Sequence, residues 1–470
     1  MSGRLVPIAA IGAALLAACL WRNHPPSEPV RPLGHSTEDR DSVCAFRTVS
    51  ADVDGGSLSY QFAWGDGDTS EWSGLVSSQD TVTMSHAWGE TGTYSIRARA
   101  RDARGALSAW SDAALLLVHA PRAIPKWIFR PGTGFTTPAI GSDGTIYTSG
   151  NGTICALHPD GSLRWELPVS APYLSAVALS PDDVLYVGAE DSLRVLNPDG
   201  STRWAVRRGS RLKPAIAANG TIYGLGSVHD TSCLIAYDIG GSMLWHTPVP
   251  YCELPLSIAP DGTIYFAGDY PEEVAAFYPS GETRWYLPLM TAPLSACTID
   301  RDGTAYVGTH HDGGLSALTS DGHMKWQFAH SEESFPGGVA IGPDGTLYGG
   351  EICCDKSDGE YDIYFYAINP DGSVKWRYCI DDWDETTPAV CADGTVYFGT
   401  SGTFYALDAT GRAKWYCPEM DCLSPAVGPD GTVYVAGNGI YAFPGTSPLA
   451  SSPWPKYGCD ARNSSCAIGR

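Results

Sequence analysis

Basic residues are scarce in this 470-residue chain: 30 lysines and arginines stand against 52 aspartates and glutamates, a formal charge of −22. A surface of that sign repels phosphate backbones and argues against nucleic acid as a partner. It suits solubility, cations or basic partner patches instead. Long apolar runs are also missing, and beyond the first residues no stretch could span a bilayer. No P-loop, zinc-ligand spacing or Ser-His-Asp order stands out, so the common sequence signatures of catalysis are not there. What is present is a chain 43% hydrophobic, enough for packed cores, and long enough for two or three domains.

The first residues carry an address. Arg4 is followed by an almost wholly apolar run over residues 5–16, then Leu16-Ala17-Ala18-Cys19. The run is short for a membrane span and has the form of a signal peptide. The small residues before Cys19 resemble a bacterial lipobox, which implies lipidation of Cys19 and cleavage after residue 18–19. An ordinary secretory leader with an incidental cysteine is the alternative. Leu20 rather than Asp follows the cysteine, a pattern resembling outer-membrane sorting. The expected location is extracytoplasmic, lipid-anchored to the cell envelope. Export makes disulfides permissible for the 14 cysteines. Cys417 with Cys422 and Cys459 with Cys466 are close enough to pair, and Cys353 and Cys354 are adjacent. With Cys19 lipidated the remainder is odd, so at least one free thiol is expected.

Residues 20–40 are Pro-rich and polar and are expected to form a tether. Over residues 41–119 apolar and polar residues alternate as in half-buried strands, for example Tyr60-Gln61-Phe62-Ala63-Trp64. Trp64-Gly65-Asp66-Gly67, His86-Ala87-Trp88, Gly92-Thr93-Tyr94 and Asp102 resemble the PKD family, which implies an immunoglobulin-like sandwich. Asp52 and Asp54 are weak Ca²⁺ candidates, since closely spaced carboxylates suit that ion, against a solvated Asp-capped turn.

Residues 124–446 repeat. One unit contains Thr137-Pro138-Ala139-Ile140, Asp143-Gly144-Thr145-Ile146-Tyr147, Ala156-Leu157-His158-Pro159-Asp160-Gly161 and Arg164-Trp165. With this one there are eight such copies, at a period near 40 residues and with four short apolar runs each, as in a propeller blade. Eight tryptophans recur with them: Trp127, Trp165, Trp204, Trp245, Trp285, Trp326, Trp376 and Trp415. The two series are out of phase, because Trp127 precedes the first Asp-Gly-Thr unit and no tryptophan of this series follows the last. Ring closure explains this: the segment around Trp127 becomes the outermost strand of the last blade. The fold expected is all-β, an eight-bladed propeller closed by an N-terminal strand and preceded by the sandwich. Each tryptophan is expected on a fourth strand, wedged against the neighbouring blade. Ala406-Leu407-Asp408-Ala409-Thr410-Gly411 with Lys414-Trp415 has the form of the tryptophan-docking motif of PQQ-like propellers. Residues 447–470, with Trp454-Pro455-Lys456-Tyr457, resemble a segment that flanks such propellers and are expected to pack on the ring.

In such a ring the Asp-Gly turns share one face and the variable loops share the other, where function usually sits. Three variable segments are acidic: His330, Glu332 and Glu333; Asp355, Asp358 and Glu360; and Asp381, Asp382, Trp383 and Asp384. They form the candidate binding face, set against ordinary solvated loop charge. Arg207-Arg208 with Arg211 and Lys213 form a basic loop, and His310-His311-Asp312 is a weak metal candidate. Some PQQ-like propellers are quinoprotein dehydrogenases with the quinone and Ca²⁺ on the axis, and some cover it with an adjacent-cysteine disulfide. Cys353-Cys354 lies in a late blade rather than an early one, and no base, carboxamide and arginine stand out as a set, which argues against PQQ. The chain is similar to the propeller lipoprotein of the outer-membrane β-barrel assembly machinery, and departs from it by the added PKD-like domain. The expectation is therefore a non-catalytic, membrane-anchored scaffold with a protein or surface-polymer partner and no cofactor. Surface adhesion or glycan binding is the alternative.

Overall fold

The computed structural model describes residues 23–465 apart from 131, 133, 191, 208–211, 270, 311–313, 329–333, 353–362 and 381–385. Among the described residues there is no helix. The chain divides into two compact units, residues 1–121 and 122–470.

The first unit is a sandwich. One sheet runs in the order Thr37–Asp39, Ala114–His119, Gly92–Asp102, Ser57–Ala63, Val76–Ser77; the other pairs Val43–Thr48 with Val82–Ala87. Strict alternation drives Phe46, Leu58, Tyr60, Phe62, Ile96 and Leu116 into one core. The motif residues sit at its end. The His86 ring stacks on Trp64 at 5.0 Å, and His86 Nε2 lies 2.6 Å from Asp66. Trp88 Nε1 donates to the Trp64 carbonyl at 3.1 Å. Gly65 has a φ of 87° and lies so close to Ser95 that a Cβ would come within 2.7 Å of its backbone nitrogen, so only glycine fits.

The tether expectation is corrected over the described part of residues 20–40. Pro26, Pro29 and Pro32 are buried at a spacing of three, the period of a polyproline helix. The residues that follow them donate to the sandwich: Ser27 N to Ala51 O (2.8 Å), Val30 N to Val49 O (2.9 Å) and Leu33 N to Arg47 O (2.8 Å). An exposed strand edge offers these carbonyls, and the extended segment satisfies them without needing a proline N–H.

The second unit is a propeller, described as eight four-stranded antiparallel sheets. In the first sheet the strands are Ala139–Ile140, Ile146–Gly150, Thr153–Leu157 and Leu163–Pro168, from the axis outward. The second strand is buried throughout, and the fourth alternates between exposed and half-buried residues at the rim. The last sheet is built from Ala426–Val427, Val433–Ala436, Ile440–Phe443 and, from the other end of the repeat region, Trp127–Phe129. Ala442 pairs with Trp127 and Ile440 with Phe129. The inner strands of the last and first sheets touch, which closes the ring as the phase of the repeats predicts.

Two devices repeat around it. The indoles of seven of the eight rim tryptophans donate to a carbonyl in the next sheet: Trp127 to Pro159 O at 2.9 Å, Trp245 to Pro279 O at 3.0 Å, Trp376 to Ala409 O at 2.9 Å. Trp165, Trp204, Trp285 and Trp326 do the same. A turn glycine lies flat under each of these seven rings; at Gly281, for instance, a Cβ would stand 2.7 Å from Trp245. Trp415 differs. The eighth sheet draws its fourth strand from upstream, so no such turn exists, and Trp415 stacks on Phe443 at 5.5 Å instead. The second device is a clamp. Arg164 Nη1 reaches Asp143 (2.8 Å) and Thr145 (2.6 Å), and Lys375 Nζ reaches Asp344 (2.8 Å) and Thr346 (3.0 Å). In the third sheet Asn219 replaces the aspartate, and Leu244 stands where the cation would be. Burial raises the Asp143 carboxyl, but hydrogen bonds from Thr145 and Arg164 outweigh it and hold it at about 2.

Candidate functional site

The innermost strand of every sheet faces the axis with one edge unpaired, which leaves backbone N–H groups to be satisfied. The C-terminal segment satisfies them. Ile140 N donates to Ala461 O (2.7 Å), Leu179 N to Arg462 O (2.9 Å), Ile216 N to Ser464 O (2.9 Å) and Ile258 N to Ser465 O (2.9 Å). Across the axis Ile341 N donates to Trp454 O (2.7 Å) and Val390 N to Pro455 O (2.8 Å). In each of these six sheets the donor is the second residue of the inner strand. Arg301, in an Asp-Gly turn, holds Ser451 O at 3.1 Å, so the tail covers the axis on the Asp-Gly face. The sequence placed this tail on the ring without a role.

The centre of this plug is polar. Lys456 is 0% exposed. Its ammonium donates to Tyr457 O (2.6 Å), Asp460 O (3.2 Å) and the Asn463 side-chain oxygen. Burial depresses it, the nearby Asp460 charge opposes that, and the result is about 7. Asn463 Nδ2 in turn donates to Thr137 O, Pro138 O and Val177 O at 3.3, 3.2 and 3.1 Å, tying the plug to the first two sheets. Arg462 Nε and Nη2 both reach Asp460 Oδ2 at 3.1 Å.

Above the plug a funnel of about 330 Å³ opens on the loop face, with Trp454 and Tyr457 in its floor. All eight sheets contribute the segment that enters their inner strand. The wall mixes apolar residues such as Leu174, Leu256 and Leu294 with hydroxyls, among them Thr137, Ser175, Ser257, Ser295 and Thr387. Several are committed to structure: Ser175 Oγ and Ser295 Oγ each accept a glycine N–H at 2.9 Å. Ser257 Oγ is buried with no partner. Among the described lining residues there is no carboxylate, and the only ammonium is that of Lys213. Burial pushes the Cys297 thiol up to about 12, aided by Cys252, so it is a poor nucleophile. The lining is suited to hydrogen bonding of a polar group rather than to proton transfer between a paired acid and base.

The acidic loop residues His330, Glu332, Glu333, Asp355, Asp358, Glu360, Asp381, Asp382, Trp383 and Asp384 lie outside the described residues, as do Cys19 and Cys353-Cys354. Arg208, Arg211, His311 and Asp312 lie outside them too, while His310 Nδ1 is 3.5 Å from Ser334 Oγ. Asp52 caps its turn, accepting from Asp54 N at 2.8 Å, and Asp54 takes His24 N at 2.6 Å and His24 Nδ1 at 3.0 Å. Among the described residues no group of three or more His, Cys, Asp or Glu could hold a metal. Cys417 is a free thiol, so the Cys417–Cys422 pairing allowed by spacing is not made.

Residues 110–253 and 230–387 match the family model described as outer membrane protein assembly factor BamB. Residues 39–114 match that of the PKD domain. No curated protein matches the chain. Among solved structures, the PKD domain of an M14-like peptidase from a Thermoplasmatales archaeon is 32% identical; the match covers 21% of this chain and 98% of that one, with a TM-score of 0.20. Virginiamycin B lyase from Staphylococcus aureus is 13% identical over 66% of this chain and 94% of its own, with a TM-score of 0.43. A gluconolactonase from Xanthomonas campestris is 14% identical over 70% and 95%, with a TM-score of 0.32.

Proposed function

Because the chain belongs to the PQQ-like propeller family described as outer membrane protein assembly factor BamB, we propose that it is a non-catalytic extracytoplasmic scaffold that binds a protein partner through the loop face of its ring. The observation that carries this reading is the plug. The chain's own tail occupies the axis on the Asp-Gly face, where it leaves a cleft of about 380 Å³ beside itself, while the funnel that all eight sheets line opens among the variable loops on the opposite side. A lipid anchor at Cys19 would hold the chain at a membrane, and assembly of outer-membrane proteins is the work the family description supports. No cofactor is needed for such a role, and Ca²⁺ at the PKD-type domain stays a proposal.

Photo-cross-linking in intact cells tests it. Met290, 99% exposed, and Tyr251, 54% exposed, lie in loops on the open face; Ile239, 60% exposed, lies in a turn on the plugged face. A cross-linking residue at either of the first two should capture subunits of the barrel-assembly machinery, and one at Ile239 should not. Equal capture from all three sites, or none of those subunits from any, would overturn the reading.

A further inference from the structure

The sandwich carries a second, unrelated surface. Strand Gly92–Asp102 sends Ile96, Ala98 and Ala100 into the core and Arg97, Arg99 and Arg101 to the other side. There the arginines meet two tryptophans from a pattern that occurs twice, Ser70-Glu71-Trp72-Ser73 and Ser108-Ala109-Trp110-Ser111. Arg99 stands 4.6 Å from the Trp110 ring and 5.4 Å from Trp72, and Arg101 stands 4.1 Å from Trp72. The order is Trp110, Arg99, Trp72, Arg101: a ladder of flat groups. Gln61 Oε1 fixes Arg99 through Nε (3.1 Å) and Nη2 (2.7 Å).

The serines of each pattern lock its segment to the sheet. Ser70 Oγ and Ser73 Oγ accept from Phe62 N and Tyr60 N, both at 2.9 Å. Ser108 Oγ and Ser111 Oγ accept from Ala100 N (2.8 Å) and Ala98 N (3.0 Å). Both flanks of the ladder are therefore already paired, and a peptide has no free edge to join by strand addition.

We propose that this ladder binds a carboxylate-bearing polysaccharide. In a chain of charge −22, three arginines on one strand face have no carboxylate partner among the described residues. An indole beside a guanidinium restrains it and leaves its outer N–H groups free to donate; because Gln61 takes the Nε–Nη2 edge of Arg99, the forks offered to a carboxylate are those of Arg97 and Arg101. Successive arginines two residues apart repeat at roughly 7 Å along the strand, which suits a polymer better than a single ion. The half-buried Trp72 and Trp110, with the exposed Leu75 and Leu107, add apolar contact for the faces of sugar rings.

The test is affinity electrophoresis of the full chain at low salt in gels holding polygalacturonate, its fully methyl-esterified form or poly-glutamate. Polygalacturonate alone should retard it, and 0.5 M salt should abolish the retardation. The Arg97→Gln/Arg101→Gln variant should bind about tenfold more weakly, with an unchanged melting midpoint. Should that variant fail to fold, Arg97→Gln alone must weaken binding several-fold, since Arg97 is exposed. No retardation, retardation unchanged in the folded variants, or equal retardation by poly-glutamate would each overturn the assignment.

Discussion

Replacing Asn463 by alanine tests whether the tail is a structural plug. Asn463 is 4% exposed. Its amide supplies the donor for three buried carbonyls and its oxygen accepts from Lys456. An NH₂ group has two protons, so at most two of the three contacts are full hydrogen bonds. Leaving each such acceptor buried and unpaired costs about 1–3 kcal/mol. Asn463 also has a φ of 55°, a region that asparagine tolerates and alanine enters at about 1 kcal/mol. Asn463→Ala should therefore lower the stability of the propeller by about 4 kcal/mol. Asn463→Gly, which relieves only the backbone strain, should recover about 1 kcal/mol of that. Urea unfolding followed by tryptophan fluorescence reads both, as shifts in midpoint at constant slope. An alanine variant within 1 kcal/mol of the parent would mean that the tail rests on the ring without holding it.

Lys456 gives a pH signature. Its folded pKa of about 7 lies below the ordinary 10.5, so above pH 7 the unfolded chain binds more protons and stability rises with pH. The slope has a ceiling of about 1.4 kcal/mol per unit. The rise ends near pH 8, where unfolded thiols begin to ionise while Cys155, Cys297 and Cys391, held at about 12, cannot. Urea midpoints at pH 6.5, 7.2 and 7.9 should climb, and Lys456→Met should flatten them; a parent with no slope contradicts the burial argument. Gly281→Ala and Gly220→Ala share a positive φ, but the new Cβ would meet Trp245 at 2.7 Å in the first and only Ile239 at 3.9 Å in the second. The first should cost about 2 kcal/mol more, and equal losses in thermal denaturation would show that the indole yields. Ile128→Pro should unpair Trp127–Phe129 and bare the edge of Ile440–Phe443. Concentration-dependent self-association in sedimentation is the expected result, and a monomer at all concentrations would count against closure by this strand.

The ring was legible because its signals are local and repeated. A positive-φ glycine under an indole needs glycine and tryptophan at fixed offsets, and both series run through the repeats; the phase offset of Trp127 then encoded closure. The plug was not legible. Lys456 and Asn463 act through carbonyls of Thr137, Pro138 and Val177, contacts spanning about three hundred residues that no period encodes. The Pro26, Pro29, Pro32 spacing and the doubled Ser-x-Trp-Ser pattern were visible but silent, because each acquires meaning only beside the strand that it covers. The acidic loops were picked for charge, and nothing in the described residues bears on them.

Both ends of the propeller unit answer one physical demand. A ring of antiparallel sheets leaves two kinds of unpaired backbone: one rim edge where the chain starts and stops, and an inner edge on every sheet. Trp127–Phe129 closes the first by pairing with Ile440–Phe443. The tail closes the second, and only a segment leaving the last sheet toward the axis is placed to reach the inner strands of six sheets in turn. With the rim edge and the inner edges both met by the chain itself, two cavities stay open: the funnel on the loop face and a cleft of about 380 Å³ beside the tail on the Asp-Gly face. Loss of the tail would then open the ring from the Asp-Gly side as well, so a truncated chain should lose partner selectivity before it loses its blades.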